Sequence, residues 1–122
     1  MSATPVGIVG HSGYSGAELV KILRRHPAVE PVLLDHREDG AGIPYSPQAL
    51  LAQRIAVLFL ATPAEVSIEL APAALEKGVK VIDLSGAFRL RTVENYRRWY
   101  GADHPRGDLL AEAAYGLPEF CR

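Results

Sequence analysis

Three glycines near the amino terminus, Gly10, Gly13 and Gly16, lie between an apolar run and a helix-like segment in the stretch VGIVGHSGYSGAEL. Glycine permits a sharp turn and lets a diphosphate approach the backbone amides, and a following helix directs its positive end at the phosphates. Ser12 and Ser15 add hydroxyl donors to the same loop. The spacing G-x-x-G-x-x-G also fits an ordinary strand-to-helix turn, so the pattern alone leaves both interpretations open.

Two charged residues of opposite sign lie at the end of the next apolar run, VEPVLLD: Asp35 closes it, and Arg37 follows two positions later. An acidic residue about twenty residues past such glycines can bind a ribose 2′-hydroxyl, whereas an arginine can accept a 2′-phosphate. Asp35 therefore favours NAD, and Arg37 favours NADP. Either residue could instead be a solvated loop charge.

Small residues follow the third apolar run, IAVLFLA, where Ala61 and Thr62 precede Pro63. Ligands of open α/β sheets bind at the carboxyl ends of the strands, and small side chains leave room for them there. Thr62 could also cap the helix that follows, and the two roles are compatible.

A polar group, DLSGAFRLR, follows the fourth apolar run and contains Asp83, Ser85 and Arg89. An arginine at this sheet edge could bind a carboxylate or phosphate of a substrate with two hydrogen bonds. The alternative is a structural arginine that pairs with Asp83 or Glu94.

The elements that would position these residues alternate along the chain. Strands are predicted for 6–9, 29–35, 55–61 and 79–85, and helices for 15–26, 63–78 and 92–100. Pro72 predicts a kink or a split in the second helix, and Thr92 is the predicted N-cap of the third. Residues 36–47 read as a polar loop and 101–122 as irregular. The alternation predicts a doubly wound, Rossmann-like α/β sheet, truncated because a complete one has about six strands.

Composition limits the classes of function. The 122 residues with 48% hydrophobic content suit one domain, 1–122, and the net charge of −1 argues against nucleic acid or an anionic membrane as partner. IAVLFLA is too short to span a bilayer, and the start of the chain does not resemble a signal peptide. The single cysteine, Cys121, favours a reducing compartment. We therefore expect a soluble, cytoplasmic protein without a metal site.

Four blocks, GHSGYSGAELVKILRRHP, VKVIDLSGAFRL, WYGADH and EAAYGLPE, resemble successive blocks of the N-acetyl-gamma-glutamyl-phosphate reductases. The resemblance covers most of the chain, and its IDLSGAFRL and YGLPE blocks are the most specific. It implies an oxidoreductase of arginine biosynthesis, in the semialdehyde dehydrogenase superfamily. Such an enzyme uses NADPH to reduce an acyl phosphate to N-acetyl-glutamate semialdehyde, through a cysteine thioester and an acid/base histidine. It also implies a homo-oligomer for the intact enzyme.

The resemblance assigns cofactor-binding roles residue by residue. Residues 10 and 12–16 match the diphosphate loop, namely Gly10, Ser12, Gly13, Tyr14, Ser15 and Gly16. Arg37 resembles the residue at the adenosine end of the cofactor. Ala61, Thr62 and Pro63 resemble the turn beside the nicotinamide half, and Ser85 and Gly86 continue that wall. Asp35 departs from the family, where small hydroxyl residues are usual, and this keeps NAD open as the cofactor.

No catalytic residue is assigned within the 122 residues. The nucleophilic cysteine of the family follows the YGLPE block in a context that Cys121 lacks, and none of the four histidines stands in the family's histidine context. The resemblance therefore implies that the family's nucleophilic cysteine and its acid/base histidine lie beyond Arg122, the last residue of the sequence. The chain is expected to be the cofactor-binding portion of the enzyme, without the catalytic and dimerisation domain, and to be inactive alone.

Two alternatives stay open: a lysine-pathway aminoadipyl-phosphate reductase, which shares these blocks, and a dinucleotide-binding module of another class, without catalysis. Aspartate-semialdehyde dehydrogenase is a more distant option. A cofactor-binding domain has little contact with the substrate, so the sequence alone does not separate these enzymes.

Overall fold

The fold is a parallel sheet with helices in the connections between its strands. The computed structural model describes residues 3–36, 40 and 42–114. In chain order the elements of this part are β1 (Thr4–Val9), α1 (Tyr14–Arg24), β2 (Val29–Asp35), β3 (Ile43–Pro44), α2 (Pro47–Ala52), β4 (Val57–Leu60), α3 (Ala64–Glu76), β5 (Lys80–Asp83), α4 (Val93–Tyr100) and α5 (Gly107–Glu112). The prediction of a doubly wound α/β fold is confirmed.

The order of the strands is β3-β2-β1-β4-β5, and every neighbouring pair is parallel. β1 is central: Val6 pairs with Pro31 of β2 on one side and with Val57 of β4 on the other. The chain leaves β1 towards β2 and returns to the other side with β4. This reversal opens a crevice beyond the carboxyl ends of β1 and β4, which is where ligands bind in sheets of this kind.

The central strand is buried on both faces, as its unbroken apolar sequence predicts. Val6 and Ile8 pack with Val20 and Leu23 of α1 on one face. Val9 belongs to the larger cluster, in which residues of β4, α2 and α3 pack together. This double burial holds the end of β1 rigidly, and with it the loop that follows.

Three short elements were not predicted, and each is six residues or fewer. β3 has two residues and lies in the predicted loop, so the described sheet has five strands rather than four. α2 follows Ser46, whose Oγ accepts a hydrogen bond from Ala49 N at 3.0 Å. α5 lies in the part predicted to be irregular. Elements this short carry too little periodicity to be recognised in a sequence.

The prediction of a split at Pro72 was wrong, because α3 runs continuously from Ala64 to Glu76. Leu70, Ala71 and Ala74 form a buried face of this helix. Packing of such a face supplies most of the stability of a helix in a protein, and here it outweighs the hydrogen bond that a proline removes.

Candidate functional site

The turn after β1 brings backbone segments into contact at two glycines. Gly10 has a φ of +85°, and a Cβ there would lie 2.1 Å from the carbonyl oxygen of Ala61. A Cβ at Gly16 would lie 2.0 Å from the carbonyl oxygen of Gly10. Gly13 differs, because the nearest atom to a Cβ would be 3.7 Å away. Glycine is therefore required at Gly10 and Gly16, where the ends of β1 and β4 and the start of α1 converge.

The amino terminus of α1 has no protein side chain to cap it. Its N-cap is Gly13, no side chain accepts a hydrogen bond there, and the first turn holds no acidic residue. Helix geometry leaves the first amides, those of Tyr14, Ser15 and Gly16, without intrahelical acceptors. Ser12, Tyr14 and Ser15 are exposed. Such a terminus suits an anion, because the helix dipole and the free N–H groups both favour negative charge.

The carboxylate of Asp35 joins the glycine loop to the loop after β2. Its Oδ1 lies 2.9 Å from Nε2 of His11, and its Oδ2 accepts a hydrogen bond from the amide of Gly42. Both side chains are largely buried, with 13% of His11 and 17% of Asp35 exposed. Asp35 is thus not a free loop charge, and each of its oxygens already has a protein partner.

A network of hydroxyl groups and one carboxylate ties the ends of β4 and β5 to α3. Thr62 Oγ1 lies 2.7 Å from Ser67 Oγ, which donates to Asp83 Oδ1 at 2.8 Å. Asp83 also accepts from the backbone N–H of Ser85 at 3.0 Å and from its Oγ at 2.9 Å. Ser85 Oγ in turn accepts from the amide of Ala87 at 3.1 Å.

The alternative role of Thr62 as a helix cap is not what the structure has. The N-cap of α3 is Pro63, without a side-chain hydrogen bond, and the hydroxyl of Thr62 turns to Ser67 instead. Thr62 and Ser67 are both buried. Buried hydroxyls need hydrogen-bond partners, and Asp83 is the acceptor at which this chain of hydroxyls ends.

The turn after β5 holds Arg89 against Tyr100 of α4. Arg89 Nη2 donates to the hydroxyl of Tyr100 at 3.1 Å, so the alternative of a structural arginine paired with Asp83 or Glu94 is not what the structure has. A Cβ at Gly86 would lie 1.7 Å from that hydroxyl oxygen. A side chain at position 86 would therefore displace the hydroxyl of Tyr100 from its contact with Arg89. A groove of about 770 Å³ runs along β5, and Arg89 lines it together with Asp83 and Ser85.

His104 is a buried imidazole that fastens α4 and its following turn to the segment after β5. Its Nε2 lies 2.9 Å from the carbonyl oxygen of Ala87, and its Nδ1 accepts from the amide of Arg106 at 3.0 Å. These partners require a neutral ring with its proton on Nε2. The rings of Phe88 and Tyr96 meet it edge to face. Burial lowers the pKa of His104 below its usual 6.5.

Most of the predicted site residues therefore gather at one edge of the sheet. The glycine loop and Ala61 are in direct contact, and Thr62 connects to Ser85 through Ser67 and Asp83. Within the described residues, there is neither a group of side chains that could hold a metal nor a helix long and apolar enough to cross a membrane.

Three residues on which the sequence-based predictions depend, Arg37, Cys121 and Arg122, lie outside the residues that the structure describes. The contact of Arg37 with the adenosine end of the cofactor therefore stays a prediction. The placement of the family's cysteine and histidine beyond Arg122 likewise stays a prediction, and so does the inert role given to Cys121.

Two further residues of this edge, His11 and Ser67, carry no motif that predicts their roles. Ser67 shares its helix face with Leu70, Ala71 and Ala74. A serine on such an apolar helix face needs a buried hydrogen-bond partner. That expectation is the one feature of the sequence that could have pointed to the role of Ser67. The contact of His11 with Asp35 joins residues 24 positions apart and depends on the tertiary fold.

Comparison with known proteins gives matches along almost the whole chain. The family described as Semialdehyde dehydrogenase, NAD binding domain, matches residues 5–122. The N-acetyl-gamma-glutamyl-phosphate reductase of Thermus thermophilus is 43% identical over 129 residues, which cover 96% of this chain and 37% of that protein. The reductase of the same name in Nitrosomonas europaea is 39% identical over 131 residues, covering 95% of this chain and 38% of that protein.

A relative named for different substrates has a comparable identity. The Ignicoccus hospitalis protein, named as a putative LysW-L-2-aminoadipate/LysW-L-glutamate phosphate reductase, is 40% identical over 136 residues, covering 93% of this chain and 38% of that protein. The chain thus spans less than two fifths of the length of these curated relatives.

Solved structures share the arrangement of the sheet and helices. Aspartate semialdehyde dehydrogenase II of Vibrio cholerae, complexed with ASA, has a TM-score of 0.56 at 26% identity and covers 73% of this chain and 33% of its own. The gentamicin biosynthesis protein GenD2, in complex with NAD, has a TM-score of 0.62 at 22% identity and covers 88% of this chain and 33% of its own. The second likeness shows the fold alone.

Proposed function

The chain belongs to the family of semialdehyde dehydrogenase NAD-binding domains, and from this premise we propose that its sheet edge binds a nicotinamide dinucleotide. The observation that carries the proposal is the turn at Gly10 and Gly16, where a Cβ would collide with backbone atoms. It leads into the uncapped start of α1. The diphosphate binds at this turn, with the two halves of the cofactor on the β2 side and the β4 side of the crevice.

The residues present fit such a ligand. The N–H groups at the start of α1 supply donors for the diphosphate, and exposed Ser12 and Ser15 supply hydroxyls beside them. The adenosine half meets the end of β2, and the nicotinamide half meets Thr62 and the wall formed by Ser85 and Gly86. When bound, the dinucleotide supplies a hydride. The part of this chain in that chemistry is to bind and orient it.

We propose that NADPH is preferred over NADH, through Arg37. Asp35, the residue that would favour NAD, is engaged by His11 and by the amide of Gly42. Its carboxylate is therefore a poorer partner for a ribose 2′-hydroxyl. Arg37 follows two positions later and has the chemistry to accept a 2′-phosphate.

A titration of the purified chain with NADPH and with NADH, followed by nucleotide fluorescence, tests both parts of the proposal. We expect NADPH to bind more tightly. Arg37→Ala is expected to weaken NADPH roughly ten- to a hundred-fold, as loss of a charged hydrogen bond would, with little effect on NADH. Arg25→Ala is the matched control, because Arg25 lies at the opposite end of α1. Failure to bind either nucleotide would contradict the proposed function.

We further propose that the protein to which this domain belongs reduces N-acetyl-gamma-glutamyl phosphate to the semialdehyde and phosphate. The relatives of that name in Thermus thermophilus and Nitrosomonas europaea support this, and the Ignicoccus hospitalis relative supports the lysine-pathway substrate as the second candidate. Arg89, in the groove beside Asp83 and Ser85, is the proposed contact for an anionic group of the substrate. Assembly as a homo-oligomer and a cytoplasmic location stay predictions.

The 122-residue chain alone is expected to bind the cofactor without catalysing the reaction. No NADPH oxidation should follow addition of the acyl phosphate, because no residue up to Arg122 matches the family's nucleophile. Oxidation that survives Cys121→Ala would overturn this expectation, and oxidation that this substitution abolishes would identify Cys121 as the nucleophile. Rescue of an arginine auxotroph by the intact protein separates the arginine substrate from the lysine one.

A further inference from the structure

The half-buried carboxylate of Asp83 determines which way the neighbouring hydroxyl hydrogens point. A carboxylate only accepts hydrogen bonds. Asp83 accepts from Ser67 Oγ and from the backbone N–H of Ser85 at one oxygen, and from Ser85 Oγ at the other. Each of these two serines has a single hydroxyl hydrogen, so that hydrogen is committed to Asp83.

The direction of the contact between Thr62 and Ser67 follows from this. The two oxygens lie 2.7 Å apart, so one of the hydroxyls must donate to the other. Ser67 has already given its hydrogen to Asp83, so Thr62 is the donor. The hydroxyl of Thr62 therefore has no hydrogen left for a ligand and offers only lone pairs.

Ser85 has the same polarity. It donates to Asp83 and accepts from the amide of Ala87, which leaves one lone pair. Of the two bonded hydroxyl residues Thr62 and Ser67, Ser67 is fully buried and Thr62 keeps 7% of its surface exposed. Only Thr62 of this pair can therefore contact a ligand. The hydroxyls of Thr62 and Ser85 thus only accept hydrogen bonds from a ligand, while the start of α1 donates them.

We propose that Ser67 and Asp83 are positioning residues that make Thr62 an obligatory acceptor for the carboxamide N–H of the nicotinamide ring. The inference rests on the proposed function and deepens it. The diphosphate matches the donating side of the crevice. On the β4 side, the carboxamide NH₂ is the strong donor that the nicotinamide ring carries. The alternative orientation, in which Thr62 donates to the carboxamide oxygen, is excluded because its hydrogen is held by Ser67.

The test compares oxidised NADP with its 3-acetylpyridine analogue, which keeps the carbonyl oxygen and replaces the NH₂ by a methyl group. Both are titrated into the 122-residue chain by calorimetry. We expect the analogue to bind about three- to ten-fold more weakly, the range that one hydrogen bond supplies. Equal affinities would overturn the inference and leave the proposed function standing. Absence of binding by both would overturn both.

Substitutions assign the difference to the hydroxyl chain. In Thr62→Val the two ligands should bind equally, whereas Thr62→Ser keeps the hydroxyl and should keep the difference. In Ser67→Ala the hydrogen of Thr62 is free to turn towards the carbonyl oxygen, so the difference should shrink to less than about two-fold. A full difference in Thr62→Val would contradict the role of Thr62, and a full difference in Ser67→Ala would contradict that of Ser67.

Circular dichroism of each variant verifies that it is folded. Should Ser67→Ala fail to fold, Asp83→Ala provides a second way to release the hydrogen of Ser67, and it should also reduce the difference between the two ligands. A purely structural role for Ser67 or Asp83 would weaken both ligands by the same factor and leave their ratio unchanged. The ratio therefore separates the positioning role from a structural one.

Discussion

Gly10 and Gly16 show how single residues shape the crevice. At both positions a Cβ would collide with a backbone carbonyl oxygen, but only Gly10 also has a positive φ. Gly13, the middle glycine of the motif, has neither feature, and its place as the N-cap of α1 demands no glycine. Backbone packing thus requires glycine at two positions of the motif, and it does not require glycine at the third.

Alanine substitutions separate these cases. Gly10→Ala is expected to lower the free energy of unfolding by about 2 kcal/mol or more, because the new methyl group strains the backbone and displaces Ala61. Gly13→Ala, the matched control, should cost less than about 1 kcal/mol. Urea unfolding of the two variants measures the difference. A Gly10→Ala protein as stable as the Gly13→Ala protein would contradict the close approach of Gly10 to Ala61.

His104 makes the stability of the fold depend on pH. Its pKa in the folded protein is lowered by burial, so the unfolded chain takes up the proton first as the pH falls. Stability should be complete above about pH 6.5 and decline below it, through the folded pKa, because protonation also removes the acceptor for Arg106 N–H. Urea unfolding at about pH 7.5 and about pH 5, on either side of the ordinary histidine pKa, measures this decline.

The variant His104→Gln isolates that contribution. It should be less stable than the wild type at the higher pH, because the partners at Ala87 and Arg106 lose their ring contacts. Its loss of stability between the two pH values should be smaller, because the titrating ring is gone. An equal loss in both proteins would assign the pH dependence to other groups.

At the scale of elements, caps define where the helices begin. Thr92 was predicted as the N-cap of α4, and its Oγ1 accepts from Asn95 N at 3.1 Å, which confirms the prediction. Thr92→Ala is expected to lower the free energy of unfolding by about 1 kcal/mol, and Thr92→Ser should restore most of it. Chemical unfolding of the three proteins measures this. No change in Thr92→Ala would mean that packing of Tyr96 alone holds the helix.

The predictability of the elements follows from their length and from what buries them. β1, β2, β4 and β5 were predictable because each lies in a short apolar run; the burial on both faces typical of a central parallel strand holds for β1 but not for β5, which is partly exposed. The split predicted at Pro72 was wrong because it considered only the effect of proline on its own helix. The packing of α3 against the sheet keeps the helix continuous instead. The positions around Thr62 were predictable from the ends of strands. Its hydrogen-bond partners were not, because Ser67 and Asp83 meet only in the folded chain.

At the scale of the whole molecule, β5 is an edge strand of the sheet that the described residues form. In the described part of the chain, β5 pairs with β4 alone. Ile82 and Leu84, at this margin, are 44% and 48% exposed, and Leu75 of α3, which lines the same groove, is also exposed. An apolar strand edge of this kind favours pairing with another chain.

The isolated chain is therefore expected to self-associate as its concentration rises. Ile82→Lys should reduce the association, because a charge on the edge strand opposes strand pairing. Ile22→Lys is the matched control, since Ile22 is exposed on α1, away from β5. Light scattering over a range of concentrations measures the mass. A wild-type chain that stays monomeric, or equal effects of the two substitutions, would contradict the role of β5.

The central position of β1 has a consequence for synthesis on the ribosome. β2 follows β1 closely and can pair with it early, but Val57, the partner of Val6 on the other side, is made roughly fifty residues later. At typical rates of elongation this interval lasts roughly 3 to 10 seconds. During that time the innermost strand of the sheet has one margin uncovered in the nascent chain. The order of the strands thus sets how long β1 stays unpaired on one side during synthesis, and slower translation before β4 would lengthen that interval.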